Sequence, residues 1–346
     1  MHENKRSKRF LNACRGEPVD ITPVWLMRQA GRYMREYRLL RKKHSFWTLC
    51  KTPELAVEVT LQPVDALGVD AAILFSDILV PVSAMGADIE FTEGKGPVFD
   101  KPVRDEAAID SLKVIEPADI DFVCQAIRTL CRELEGRVPL IGFSGAPFTL
   151  ASYLVEGGGS RYFAEIKALM FKEPELYRRL MDKLSDVVIV YLKAQIEAGA
   201  QVVQLFESWA SAVGPADYER YVFPYSQRVL DSVSGLGAPV IHFANGAGTY
   251  LDKIAAAGGD VIGIDWHIRL DEAWTAIGKD KAIQGNLDPV ALLAGPAEIE
   301  KRVRDVLEQA GSRPGHIFNL GHGILPQTPV ENAKHFVDCV HRLSTR

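Results

Sequence analysis

The sequence predicts an α/β protein folded as a single (β/α)8 barrel over residues 1–346. Three observations carry that expectation. Eight short apolar, β-branched runs recur along the chain. Segments of helical period separate most of them. Polar and charged residues collect just after the runs. Apolar strands that alternate with helices are buried on both faces, the mark of a parallel sheet. Eight such units fit a closed barrel, which gathers its reactive groups at the C-terminal ends of the strands. An open, doubly wound sheet is the structural alternative.

The runs come in order as PVWLM (23–27), DAAILF (70–75), VPLIGF (138–143), AQVVQLF (200–206), APVIHF (238–243), DVIGID (260–265), KAIQG (281–285) and GHIFNLG (315–321). Among the intervening segments, 53–67, 175–199 and 296–311 repeat apolar residues at the spacing of one helix face. Residues 87–103 read as a hairpin insertion, with Gly94, Gly96 and Pro97 supplying the turn. No low-complexity tract or internal repeat divides the chain.

Composition narrows the class. Hydrophobic residues make up 47% and charged residues 25%, as in ordinary globular enzymes. The five cysteines (14, 50, 124, 131 and 339) are scattered and show no zinc spacing, so no metal site and no disulfide framework is expected. The basic N-terminus lacks a signal-peptide apolar core, and no apolar run reaches membrane-spanning length. A soluble, cytosolic protein is expected. Residues 1–43 carry 12 Lys/Arg against 4 Asp/Glu, whereas the remainder carries 28 against 41. The basic segment interleaves with Trp25, Met27, Tyr33 and Tyr37 and carries no nucleic-acid-binding motif, so nucleic acid is not an expected partner.

The strand ends nominate a site. They offer Arg28, Gln29 and Arg32 after the first run, Ser76 and Asp77 after the second, Tyr153 beyond the third, and Glu207 and Ser208 after the fourth. His242 and Asn245 mark the fifth, Asp265 the sixth, Asn286 and Asp288 the seventh, and His322, between two glycines, the eighth. Each has a plainer reading: a solvated arginine face, a helix-capping Asp, a core tyrosine, a structural histidine. The arginines tip the balance. Arg28, Arg32, Arg35, Arg38 and Arg41 stand with a single acid, Glu36, whereas solvated helix faces mix both signs. They point to a ligand carrying several anionic groups. The EGGGS run (156–160) lacks the spacing of a phosphate loop, and GFSGAP misses the nucleophile-elbow pattern.

Two longer motifs sharpen this. PVWLMRQAGRYMREYR and IGFSGAPFTLASYLVEGGGS closely resemble two signatures of the uroporphyrinogen decarboxylase family. LFSDIL (74–79), QLFESWA (204–210), QGNLDP (284–289) and NLGHGI (319–324) resemble its other landmarks, and the likeness runs from about Phe10 to the end. The resemblance implies a cofactor-free enzyme that removes CO2 from the four acetate side chains of uroporphyrinogen III, giving coproporphyrinogen III. It implies a homodimer with facing clefts. It implies that Arg28, Arg32 and Arg41, with Gln29, meet substrate carboxylates, that Asp77 lies under the macrocycle centre, and that Tyr153, Ser208 and His322 line the cleft. Asn245 departs from the pattern, standing where some relatives carry a cation. The chemistry needs such a set: arginine forks match carboxylates, and one central carboxylate can take all four pyrrole N–H groups. His322, Tyr153 and Arg28 stand side by side as candidate proton donors. A tetrapyrrole carrier without turnover, and a zinc- and corrinoid-dependent methyltransferase on the same fold, are the alternatives.

Overall fold

The computed structural model describes residues 2–92 and 96–345. Its main sheet has seven parallel strands: β1 (Ala72–Ile73), β4 (Leu140–Gly145), β5 (Val202–Glu207), β6 (Val240–Ala244), β7 (Val261–Ile264), β8 (Ala282–Leu287) and β9 (His316–Leu320), in that spatial order. An antiparallel pair, β2 (Ile89–Thr92) and β3 (Gly96–Phe99), forms the expected hairpin, with Ile89 opposite Phe99. Gly94, one of the turn residues expected there, lies outside the described residues. The hairpin explains the glycine run after β4. Val98 bridges to Gly158, and Phe99 N–H donates to the Gly157 carbonyl at 3.0 Å. A Cβ on Gly158 would stand 2.8 Å from the Pro97 carbonyl oxygen, so these glycines admit a neighbouring backbone rather than a phosphate.

The helices follow their sequence punctuation. Pro53–Leu67 opens on proline and stops at Gly68, which adopts φ 72°. Pro174–Glu197 and Pro296–Ala310 begin the same way. Neighbouring strands pair in register from β4 through β9, and their side chains form one buried cluster with the inner faces of the helices.

The sheet curls on itself. Trp25 Nε1 donates to Gln284 Oε1 (2.9 Å), and Gln284 Nε2 donates to Gln204 Oε1 (3.2 Å), so three segments that are not neighbours in the sheet meet across its interior. It is barrel-like, but among the described residues no continuous ladder closes it, which corrects the expected eighth strand at 23–27. That segment makes one bridge, Val24 to Phe318, although it bonds on both sides: Phe318 N–H to Pro23 O (2.8 Å) and Asp70 N–H to Val24 O (2.8 Å). The physical reason is competition from side chains. Val24 N–H goes to the Asp70 carboxylate, Leu26 N–H to the Gln29 amide and Met27 N–H to the Asn319 amide, so the donors a ladder would use are taken.

At that seam Asp70, fully buried, is the knot. It accepts from Arg9 Nη1 (2.8 Å) and Val24 N (2.9 Å) and meets His341 Nε2 (2.7 Å). Burial works against the Arg9 charge, but Asp20 and Asp70 outweigh it and hold the guanidinium protonated.

Candidate active site

The residues nominated by the sequence gather beyond the C-terminal ends of the strands, and the sequence explains how their side chains arrive there. The chain leaves the seam at Met27 in tight turns, and the helix Arg35–Lys43 begins only afterwards. Arg28 and Arg32 therefore do not share a helix face with Arg35. Arg28 adopts φ 61°, a left-handed backbone unusual for a large side chain. Its stem lies on Gly323: a Cβ there would stand 2.5 Å from Arg28 Cδ. Gly321, on the other side of His322, is as close to Trp266, whose nitrogen a Cβ would meet at 2.5 Å. The two glycines that bracket His322 thus let the loop pass between an arginine and a neighbouring backbone.

Asp77 follows β1. Its Oδ1 accepts from Leu79 N–H at 2.8 Å. Burial raises its carboxyl pKa, and the Leu79 N–H and the Arg28 guanidinium pull it back. Tyr153 is half-buried on the helix Pro147–Glu156, 5.6 Å ring to ring from Trp209. Burial and then Asp77 push its phenol up to about 12, against Arg28. His322 is half-buried, with its ring edge-on to Trp266 at 6.4 Å. Burial and then Arg28 lower its imidazole to about 4, against a small pull from Asp265. The Arg28 charge therefore reaches Asp77, Tyr153 and His322 together.

The other expected residues divide. Arg32 is exposed near the same turn, and with Arg41 it acts on the buried Tyr37 phenol, which burial pushes up to about 12. Arg41 is half-buried, donates to the His44 carbonyl (2.7 Å) and lies over the Phe46 ring. Buried Cys50 senses both Asp77 and Arg41, which relates that arginine to the cleft. Ser208 is half-buried just beyond β5. Gln29 is different: it is fully buried, and its amide accepts from Leu26 N–H and donates to the Ala71 carbonyl. Its side chain pins the Arg28 turn to the start of β1.

Sequence reasoning left several contributors without a role. Phe206 stacks edge-on with Phe143 (5.6 Å) and Phe243 (5.7 Å), and Trp209 bridges Tyr153 and Phe163, so aromatic rings group along β4, β5 and β6 and just beyond them. Asp265, named from the sequence as a strand end, is buried. It accepts from His267 N–H (2.7 Å) and from Gly246 N–H, tying two rim loops, while Asn286 Nδ2 donates to the Asp265 carbonyl (2.8 Å). Asn245 N–H donates to the Glu207 carbonyl (3.2 Å) and its Nδ2 to the Ser208 carbonyl (3.4 Å), so its amide joins neighbouring loops.

Among the described residues one group of His, Cys and carboxylate is close enough to share a metal ion, Glu300 with His335 and Cys339. It stands on two helices rather than at the strand ends, and Arg304 and Arg342 already hold its carboxylate. At the strand ends the Arg28 guanidinium stands close to one acid, Asp77, and to two neutral hydrogen-bonding groups, Tyr153 and His322.

The profile of the family described as uroporphyrinogen decarboxylase matches residues 5–343. The chain is 59% identical over 336 residues to the uroporphyrinogen decarboxylase of Syntrophotalea carbinolica, covering 97% of each. It is 57% identical over 341 residues to that of Trichlorobacter lovleyi, covering 98% of this chain and all of the relative. Among solved structures, a methyltransferase from Methanosarcina mazei superposes with TM-score 0.82 over 98% of both chains at 23% identity, a likeness of fold alone. With its profile matched almost end to end and relatives above half identity, the chain belongs to the uroporphyrinogen decarboxylase family.

Proposed function

We propose that this chain is a uroporphyrinogen decarboxylase, a carboxy-lyase of tetrapyrrole biosynthesis that removes CO2 from the four acetate side chains of uroporphyrinogen III to give coproporphyrinogen III. The observation that carries the reading is one half-buried carboxylate, Asp77, set beside the Arg28 guanidinium and the Tyr153 phenol. A reduced macrocycle presents four pyrrole N–H donors to one side and carboxylates around its rim. Asp77 accepts the donors, and Arg28, Arg32 and Arg41 meet the rim. Each charge-assisted bond contributes roughly 1.5–3 kcal/mol.

The chemistry follows from charge. A proton added to the ring carbon beside the one that bears the acetate makes the pyrrole cationic. The C–C bond to the carboxylate breaks, its electron pair flows into the ring, and CO2 departs. The resulting exocyclic methylene takes a proton to become methyl, and the ring proton is returned, so each turn consumes one proton and releases one CO2. Asp77, already in place below the ring, stabilises the cation without reorganising. Its burial disfavours an isolated charge, and the incoming N–H groups favour it, so substrate binding itself sharpens the carboxylate.

Tyr153 keeps its proton at neutral pH and can donate a hydrogen bond. His322 is neutral in the free site, and a substrate carboxylate beside it raises its affinity for a proton, so it becomes an acid only with substrate bound. Gln29 acts by holding the Arg28 turn. No metal or organic cofactor is required by this scheme.

We read residues 1–346 as one barrel-like domain, and the molecule as a cytoplasmic homodimer. No helix among the described residues is long and apolar enough to cross a membrane. Trp266, Val290 and Leu293, exposed beside the ends of β7 and β8, offer apolar surface for a second copy. Light scattering that finds only monomer would remove the dimer.

The deciding experiment is anaerobic incubation with uroporphyrinogen III, without added metal, followed by chromatography of the oxidised products. Wild type should yield the four-carboxylate product, and Asp77→Ala should lose it while still binding ligand. Unchanged eight-carboxylate substrate with wild type would leave a carrier, not an enzyme.

A further inference from the structure

Glu207 ends β5 one residue before Ser208, yet it belongs to the other face of the strand. Gln204 meets Gln284 across the interior, and strand alternation places Phe206 on that inner side with it and Glu207 on the outer side. There Glu207 is fully buried. One carboxyl oxygen accepts from Ser226 Oγ at 3.0 Å, and the other has no partner among the described residues.

The groups that face it come from four elements: Ser226 from the helix Phe223–Val233, Tyr218 from the π-helical turn Tyr218–Val222, Tyr177 from Pro174–Glu197, and Tyr250 from the turn Gly248–Tyr250. All are neutral at pH 7, and no cation among the described residues contributes to its setting. A carboxyl without a counter-charge in such surroundings sheds its charge by holding a proton.

Its position gives this a consequence. The Glu207 carbonyl takes Asn245 N–H, the Asn245 carbonyl takes Ser211 N–H (3.0 Å), and Tyr250 OH donates to Ala210 O (2.6 Å). The carboxyl thus sits behind two loops stitched together, one of which carries Ser208 and places the Trp209 ring 5.6 Å from that of Tyr153.

We propose that Glu207 is a positioning residue: held as an uncharged acid, it keeps the Ser208–Trp209 wall against the cleft, and its ionisation loosens that wall and sets the alkaline limb of turnover. This rests on the decarboxylase reading only for its kinetic readout. Burial pushes the Glu207 carboxyl up to about 7, so the change falls within the working range.

The test uses the full chain as wild type, Glu207→Gln and Ser226→Ala. Intrinsic fluorescence is titrated without substrate, and kcat/KM for uroporphyrinogen is measured from about pH 6 to about pH 9. Wild type should show a fluorescence transition near neutrality and a fall in kcat/KM above it, approaching tenfold per pH unit. Glu207→Gln, uncharged at every pH, should match wild type at the acid end, lack the transition and keep its activity about tenfold or more above wild type at the alkaline end. Ser226→Ala removes a hydrogen bond that favours the carboxylate, so both transition and limb should move to higher pH. If Glu207→Gln does not fold, that shift carries the test. A limb and a transition unchanged in the variants would overturn the proposal. Absence of turnover in wild type would instead strike the decarboxylase reading, and the fluorescence titration would still decide the role of Glu207.

Discussion

Replacing Gly323 with alanine would displace Arg28 without removing its charge. The added methyl would stand 2.5 Å from Arg28 Cδ, 2.9 Å from Cγ and 3.0 Å from Nε, well inside the carbon contact distance of roughly 3.5–4.0 Å. Gly323 does not use a left-handed backbone, so alanine itself is accommodated and the clash must be relieved by the arginine. The Arg28 turn is pinned from below by Gln29, which leaves rotation of the side chain as the way out. Loss of one well-placed guanidinium contact costs about 1.5–3 kcal/mol, or roughly a 10- to 150-fold fall in kcat/KM. Steady-state kinetics on uroporphyrinogen read that loss directly. A second readout is independent of turnover. Arg28 helps depress the His322 imidazole, so NMR titration of the free variant should find it above the wild-type value of about 4. Thermal stability should hardly change, since Arg28 is exposed. Activity within about twofold of wild type, with the His322 titration unmoved, would refute the placement of Arg28 at the centre of the site.

Other expectations follow from the same geometry. Asp70→Ala should destabilise the fold by about 1.5–3 kcal/mol in urea unfolding, because it leaves the buried Val24 N–H without an acceptor and removes one of the two carboxylates on Arg9. The Glu207 carboxyl rises from 4.5 to about 7 on folding, so between those values the folded chain holds a proton that the unfolded chain has lost. Wild-type stability should therefore be full below about pH 4.5 and decline by ~3 kcal/mol as pH rises through 7, a slope that Glu207→Gln removes. In the free protein the His322 resonance should move only on acidification through about 4, and binding of a polycarboxylate should shift that titration upward.

The sequence makes some of this legible and hides the rest for identifiable reasons. Pro53–Leu67 reads true because its signals are local, a proline at the start and a glycine at the stop. The β5 to β9 runs read true because apolar, β-branched segments buried on both faces have few other uses. The run at 23–27 misleads because the donors that undo it come from elsewhere: Asp70 lies 46 residues away and Asn319 lies 292 away. The site shows the same division. Arg28, Asp77 and His322 stand out because a barrel collects polar residues after its strands. The buried task of Gln29 depends on the Ala71 carbonyl, and the separation of Glu207 from its neighbour Ser208 depends on which face each takes. Neither is written in residue type.

The seam between β9 and β1 bears on the order of assembly. The ladders from β4 to β9 each join strands that are consecutive in the chain, so they can zip up in turn. The seam alone must gather Arg9, Val24, Asp70, Phe318 and His341, and closing so long a loop costs chain entropy before any contact returns it. Until it shuts, the edges of β1 and β9 stand open, and open edges recruit other chains. Pulse-labelled hydrogen exchange during refolding should find the amides of Val24 and Phe318 protected last. Asp70, at the opposite ends of the strands from the chemistry, is thus a latch whose closing separates a productive chain from an aggregating one.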